Sequence, residues 1–189
     1  ALQHIDQFRH ITLALERLES RKLKGISPDL VSLLWNSPEI GIVIIEADGA
    51  AGRPAKAPRE WEPVIPSRTT LVVGLLGVDG VGKELNEENL FQAERISELT
   101  GIPMGGKMTC EGMAILMVHP QGIFKGTPHL SRKVAFINKV DVPKGMIWGR
   151  AIGKEILKKG SPHVERVILG QLRSELPVAE VMFPSNEIR

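Results

Sequence analysis

Gly41-Ile42-Val43-Ile44-Ile45-Glu46-Ala47-Asp48-Gly49 is the stretch on which the reading of the fold turns, an apolar run that stops at two carboxylates and a glycine. Four consecutive β-branched residues between glycines have the length and composition of a strand buried on both faces, as in a parallel sheet. In open α/β sheets ligands sit at the carboxyl ends of strands, so Glu46 and Asp48 fall where a bound molecule or a metal ion would lie. The same residues also read as a turn, Asp48-Gly49, after a core strand, with Glu46 a solvated strand end.

Working outward from this run, His10 to Glu16 reads as a strand, and Ser27-Pro28-Asp29 opens a short helix with Leu30, Leu33 and Leu34 on one face. On the other side, Ala50 to Ser67 cannot be a regular helix, because Pro54, Pro58, Pro63 and Pro66 interrupt it. This long loop leaves the acidic strand end carrying Arg53, Lys56 and Arg59. It reads either as a proline-stiffened connection with solvated charges or, since it starts where a ligand is expected, as part of a site. Thr70–Leu76, Lys133–Ile137 and Val164–Leu169 have strand composition. Helical patterns run from Asn86 to Leu99 with Gly101 as stop, from Thr109 to His119-Pro120, and from Lys144 to Lys159 closed by Gly160-Ser161-Pro162. Strands alternating with helices predict a single α/β domain with a three-layer, mostly parallel sheet and helices on both faces.

Composition narrows the class. Hydrophobic residues at 42% and charged residues at 24% are ordinary for a soluble domain of 189 residues. Apolar runs are strand-sized, well short of a bilayer span, and Ala1 to Asp6 lacks the basic flank and apolar core of a signal peptide, so a cytoplasmic location is expected. The net charge of +2 is spread along the chain, and the aromatic content of 4% with no tyrosine offers no stacking platform, which argues against a nucleic-acid partner. The single cysteine, Cys110, excludes an intramolecular disulfide and reads as a small core residue.

Two glycine-rich stretches invite comparison with phosphate cradles. Gly77-Val78-Asp79-Gly80-Val81-Gly82-Lys83-Glu84 has the G-x-x-x-x-G-K spacing, but Glu84 stands where a Mg²⁺-binding hydroxyl belongs and would meet phosphate with like charge. It reads better as a turn toward a new helix cap, and Gly105-Gly106-Lys107 has only the tail of the motif. Asn138-Lys139-Val140-Asp141, directly after a strand, is the sharper signal. In such a quartet the Asp accepts two N–H groups of guanine, the Lys stem packs along the ring and the Asn braces a neighbouring loop. The competing reading has Asp141 capping the next helix and Asn138-Lys139 as a polar turn.

Ile45-Glu46-Ala47-Asp48-Gly49, Arg53-Pro54-Ala55-Lys56-Ala57-Pro58, Glu62-Pro63-Val64-Ile65-Pro66 and Asn138-Lys139-Val140-Asp141, in this order, resemble the YqeC family of selenium-dependent molybdenum hydroxylase accessory proteins. The resemblance runs from about Lys24 to beyond Leu169. It implies a P-loop NTPase-like fold and a role in maturing or inserting the cofactor of a molybdenum hydroxylase, with the hydroxylase or its maturation proteins as partners and GTP with Mg²⁺ as ligands. It also implies a Gly-rich Lys-Thr phosphate loop ahead of the point where this sequence starts, so the 189 residues are expected to miss an N-terminal phosphate-loop segment. Under the resemblance Asp48 would contact Mg²⁺ or the γ-phosphate, and Glu46 would be a further metal ligand or a base orienting water. Arg53 and Lys56 would neutralise phosphate or a pterin-type anion, Asn138, Lys139 and Asp141 would read guanine, and Gly170-Gln171 would back the base through a main-chain N–H. Slow GTP hydrolysis would follow. A binding module of the same fold that docks on a hydroxylase or cofactor carrier without hydrolysing nucleotide is the alternative.

Overall fold

The computed structural model describes residues 8–20, 22–160 and 164–185. The expectations for Ala1 to Asp6 and for Ser161-Pro162 lie outside the described residues. Contacts divide the chain into two compact units, one of residues 1–46 with 65–68 and one of residues 47–64 with 69–189.

In the first unit, β1 (Glu16–Arg17) and β2 (Leu23–Lys24) form a two-residue antiparallel pair. The expected strand from His10 to Glu16 thus reaches regular pairing only at its last residue. Helix α1 (Pro28–Trp35) forms as its signals predict: the Ser27 hydroxyl accepts the Leu30 N–H at 3.3 Å, Pro28 needs no N–H in the first turn, and Val31 is buried. The Gly41–Ile45 run corrects the opening expectation. It adopts no strand, and Ile42 and Ile44 are 79% and 91% exposed. A strand exists only through a neighbour that takes its backbone groups, and none of the described strands pairs with this run.

The second unit is an α/β layer structure with a mixed four-stranded sheet. β3 (Leu71–Gly77), β4 (Arg132–Asn138), β5 (Arg166–Gly170) and β6 (Val178–Met182) lie side by side in that order, with β3, β4 and β5 parallel and β6 antiparallel. Between them come a single 3₁₀ turn at Val78–Gly80, α2 (Ala93–Thr100), α3 (Cys110–Val118) and α4 (Gly145–Gly160). The Thr109 hydroxyl caps α3 by accepting the Gly112 N–H at 2.9 Å, and Gly101 in the left-handed region at φ +73° ends α2. α2 begins later than Asn86 because Gln92 at φ +62° breaks the helical path and the Glu87 carboxylate takes the N–H groups of Gln92 and Ala93 at 3.3 and 2.6 Å.

Registered pairs show how the layers sit. Val72, Gly74 and Leu76 of β3 share a face with Ala135 and Ile137 of β4 and with Val167 and Leu169 of β5. Helices α3 and α4 cover this face: a side chain at Gly74 would strike Met117, and Gly149 and Gly153 of α4 press on Leu169 and Val167. α2 packs against α3. Leu76, Met113, Leu116, Met117, Ile137, Ile152, Ile156 and Leu169 fill the core between sheet and helices. On the opposite face Leu71, Val73 and Leu75 are exposed, so within this unit the helices cover one face rather than the two expected. No helix among the described residues is long and apolar enough to cross a membrane.

Candidate functional site

Because β3, β4 and β5 are parallel and in register, Gly77, Asn138 and Gly170 end their strands at one edge of the sheet. The segment from Ala47 to Val64 joins that edge. The Gly77 N–H donates to the Pro54 carbonyl at 2.7 Å, while Phe91, just before α2, donates to Ala55 and accepts from Ala57 at 3.0 and 3.3 Å. Residues 54–58 are therefore buried and part of the core layer, where the sequence suggests an open loop.

Lys56 is the consequence of that burial. It is 7% exposed, and its ammonium donates to Asp48 Oδ1 and, at 2.6 Å, pairs with Glu62 Oε2. A buried ammonium requires such compensation. Glu62 also accepts the Arg59 backbone N–H at 3.0 Å. Burial would push the Glu62 carboxyl up, but the hydrogen bonds from Lys56 and Arg59, with both positive charges, outweigh it and hold the group below the ordinary carboxylate range. The Phe91 ring carries cations around it, with the Arg53 guanidinium 5.2 Å and the Lys56 ammonium 5.3 Å from its centroid. Arg53 Nε donates to the Glu88 carbonyl at 3.3 Å.

At the end of β4 the quartet is built from specific contacts. The Asn138 side-chain oxygen accepts the Leu172 backbone N–H at 3.0 Å and so ties the loop after β5 to the strand end. Lys139, at φ +64°, turns its ammonium to Asp79 Oδ2 at 2.8 Å. Val140 is buried and donates its N–H to the Gly170 carbonyl at 3.2 Å, while Asp141 is exposed. The Gln171 N–H is taken by the Pro177 carbonyl at 2.9 Å, and Gly170 has no space for a side chain because the Pro177 carbonyl and the Phe136 ring crowd it.

The two glycine-rich stretches pair with each other. Gly82 donates to Met108, Met108 to Lys83, and Leu85 to Gly106, at 2.8, 2.8 and 2.7 Å, with Glu84 opposite Lys107. Lys83 itself donates to Gly80 at 3.2 Å. N–H groups spent in this way cannot cradle phosphate, and no helix opens at Lys83, so the spacing there belongs to a hairpin-like turn.

Of the residues singled out from sequence, Asp48, Arg53 and Lys56 gather on the segment joined to the end of β3, and Asn138, Lys139, Asp141 and Gly170 gather at the ends of β4 and β5. Lys56 is committed to Asp48 rather than free for an anion. Glu46 is exposed and belongs to the first unit. Glu62, Asp79, Phe91 and Leu172 are participants that the motif reading passes over; Asp79 stood inside the glycine-rich motif and Glu62 inside Glu62-Pro63-Val64-Ile65-Pro66, so both were visible only as parts of other patterns. Among the described residues no group of three or more His, Cys, Asp or Glu side chains gathers for a metal. A surface groove of about 590 Å³ between α3 and α4 is lined by Cys110 and Glu111 at the start of α3 and by Lys154 and Lys158 of α4.

The architecture is that of an α/β protein whose polar side chains collect at the carboxyl ends of its parallel strands. The chain belongs to the YqeC family: the family described as YqeC protein matches residues 2–94. It is also similar to a protein of Escherichia coli (strain K12) named "Uncharacterized protein YqeC", 31% identical over 159 residues, which are 84% of this chain and 60% of that relative. The chain thus spans about 60% of the length of this relative. No solved structure matches it.

Proposed function

We propose that this chain belongs to a GTP-binding accessory protein that serves maturation or insertion of the cofactor of a selenium-dependent molybdenum hydroxylase. The observation that carries the nucleotide half is the strand-end quartet: Asn138 braces the loop after β5, Lys139 lies across the edge, and Asp141 is left exposed. A carboxylate so placed accepts two donors of a guanine edge, which adenine does not present. The client half rests on the YqeC resemblance.

Mg²⁺ fits this donor set in a limited way. The ion takes one or two carboxylates and draws its other ligands from water and phosphate, so Asp48, with one oxygen already on Lys56, would serve as a single ligand. Bound Mg²⁺ would neutralise phosphate charge. Arg53 would add positive charge from the same segment. With Asp48 held by Lys56, hydrolysis is slow and the nucleotide acts as a signal. The P-loop NTPase-like character of the sheet is part of the same proposal, supported by three parallel strands whose carboxyl ends lie side by side.

Calorimetry on full-length protein with GTP and ATP in Mg²⁺ tests the reading. GTP is expected to bind more tightly, with Asp141→Ala removing about tenfold to a hundredfold of its affinity, the worth of hydrogen bonds to a charged group. Equal affinity for both nucleotides, unchanged in Asp141→Ala, would overturn it.

One observation favours a second reading. The Asp48 carboxylate is satisfied internally, as suits a module that docks on a hydroxylase or cofactor carrier without using nucleotide. Capture of purified hydroxylase that is unchanged by GTP and by Asp48→Asn would select it.

A further inference from the structure

We infer that Asp79 is a positioning residue for base recognition, which links the Lys139 side chain to the segment bearing Asp48 and Arg53. This rests on the guanine reading above and names a residue that the quartet itself does not include. Asp79 sits in the 3₁₀ turn that follows β3, and its Oδ2 accepts from Lys139 Nζ at 2.8 Å. Its Oδ1 is buried without a hydrogen-bond partner. A buried carboxylate oxygen without a partner is costly, so the contact made by the other oxygen, to Lys139, has to offset that cost.

The surroundings fix the carboxylate in place. A side chain at Gly77 would come within 2.5 Å of Asp79 Oδ1 and 3.2 Å of Pro54 Cα, so Gly77 leaves room for both. The Gly77 N–H in turn holds the Pro54 carbonyl at 2.7 Å. Asp79 is thus packed against the point where the Ala47–Val64 segment meets the sheet.

Lys139 needs such an anchor. Its backbone is at φ +64°, a conformation that few non-glycine residues adopt, and its side chain reaches across from β4 to the end of β3. With the ammonium fixed on Asp79, the alkyl stem becomes a shelf next to Asp141, where the flat face of a base packs. Without Asp79 the ammonium is free to follow other partners, and the stem is no longer held in one rotamer.

The test is a double-mutant cycle on full-length protein, with Asp79→Asn and Lys139→Met, reading GTP and ATP affinities by calorimetry and folding by thermal melting. Asn keeps the shape of Asp79 and Met keeps the Lys139 stem. If Asp79 positions Lys139, each single variant lowers GTP affinity by about tenfold, the double variant falls no further than the worse single one, and the GTP to ATP ratio falls with it. Equal loss for GTP and ATP, or losses that add fully in the double variant, would show a merely structural role and overturn the inference while leaving the guanine reading intact. Wild-type protein without preference for GTP would overturn both.

Discussion

Asn138 and Leu172, 34 residues apart, are joined by a hydrogen bond of 3.0 Å from the Leu172 backbone N–H to the Asn138 side-chain oxygen. The first residue of the quartet therefore shapes the loop after β5, whatever the edge binds. Asn138→Ala is expected to cost about 1 kcal/mol and to speed hydrogen exchange at the Leu172 amide by about fivefold, whereas Asn138→Asp keeps the acceptor and the protection. Exchange followed residue by residue by NMR checks this, and unchanged Leu172 exchange in Asn138→Ala would sink it.

Lys56 stands between two carboxylates inside the core layer, and its removal leaves both facing each other without a counter-charge. Lys56→Met is expected to destabilise the protein by about 3 kcal/mol, the scale for breaking a buried ion pair from one side. Adding Glu62→Gln removes one of the two uncompensated charges and should recover part of that loss. Urea denaturation of the two variants decides it: a double variant less stable than Lys56→Met would show that Glu62 contributes by some other route.

Two glycines separate crowding from backbone strain. At Gly170 an added methyl meets the Phe136 ring and the Pro177 backbone carbonyl, which is held by the Gln171 N–H beside the β5–β6 pair. At Gly101 nothing lies within 4 Å, and the objection is the left-handed φ of +73° alone. Gly170→Ala is therefore expected to cost about 3 kcal/mol or more, and Gly101→Ala about 1 kcal/mol. Denaturant midpoints measured side by side would refute this ordering if Gly101→Ala proved the more damaging.

What the sequence made legible follows from how local each signal is. The helix start at Ser27-Pro28, the Gly101 stop and the strands β3, β4 and β5 depend on residues a few positions apart, and they form where their patterns lie. β6 escaped because Val178–Met182 is short, follows a turn and pairs antiparallel on the sheet edge, with no alternation strong enough to mark it. The Gly41–Ile45 run failed for the opposite reason: its composition is that of a strand, but strand formation depends on a partner elsewhere, and propensity does not supply one. At the site, the positions of Asn138 and Asp141 were readable, while the pairings Lys56 with Glu62 and Lys139 with Asp79 depend on how the segment from Ala47 to Val64 docks on Gly77.

Acid should expose the ion cluster at the start of β4 and β5. Arg132 grips Glu165 with two hydrogen bonds, Nε to Oε2 at 2.6 Å and Nη2 to Oε1 at 2.9 Å, and Arg166 adds a third contact. The Arg132 hydrogen bonds first, then that of Arg166, lower the Glu165 carboxyl from 4.5 to about 2 against a small loss of hydration, and both positive charges add to the effect. A carboxyl lowered in the folded state stabilises it above its ordinary value, and the contribution disappears as pH falls through the folded value, here from about 4.5 down to about 2. Glu62 shifts in the same direction, so it contributes the same sign of loss in every variant that retains it. Arg132→Gln takes away the larger of the two causes at Glu165 and leaves Glu62 untouched. Its stability is expected to be lower than wild type at neutral pH and to fall less steeply through the acid window, so that the two curves converge toward pH 2. Urea midpoints taken in steps across that range test the sign, and parallel curves would mean that the Arg132–Glu165 pair contributes nothing that protonation can remove.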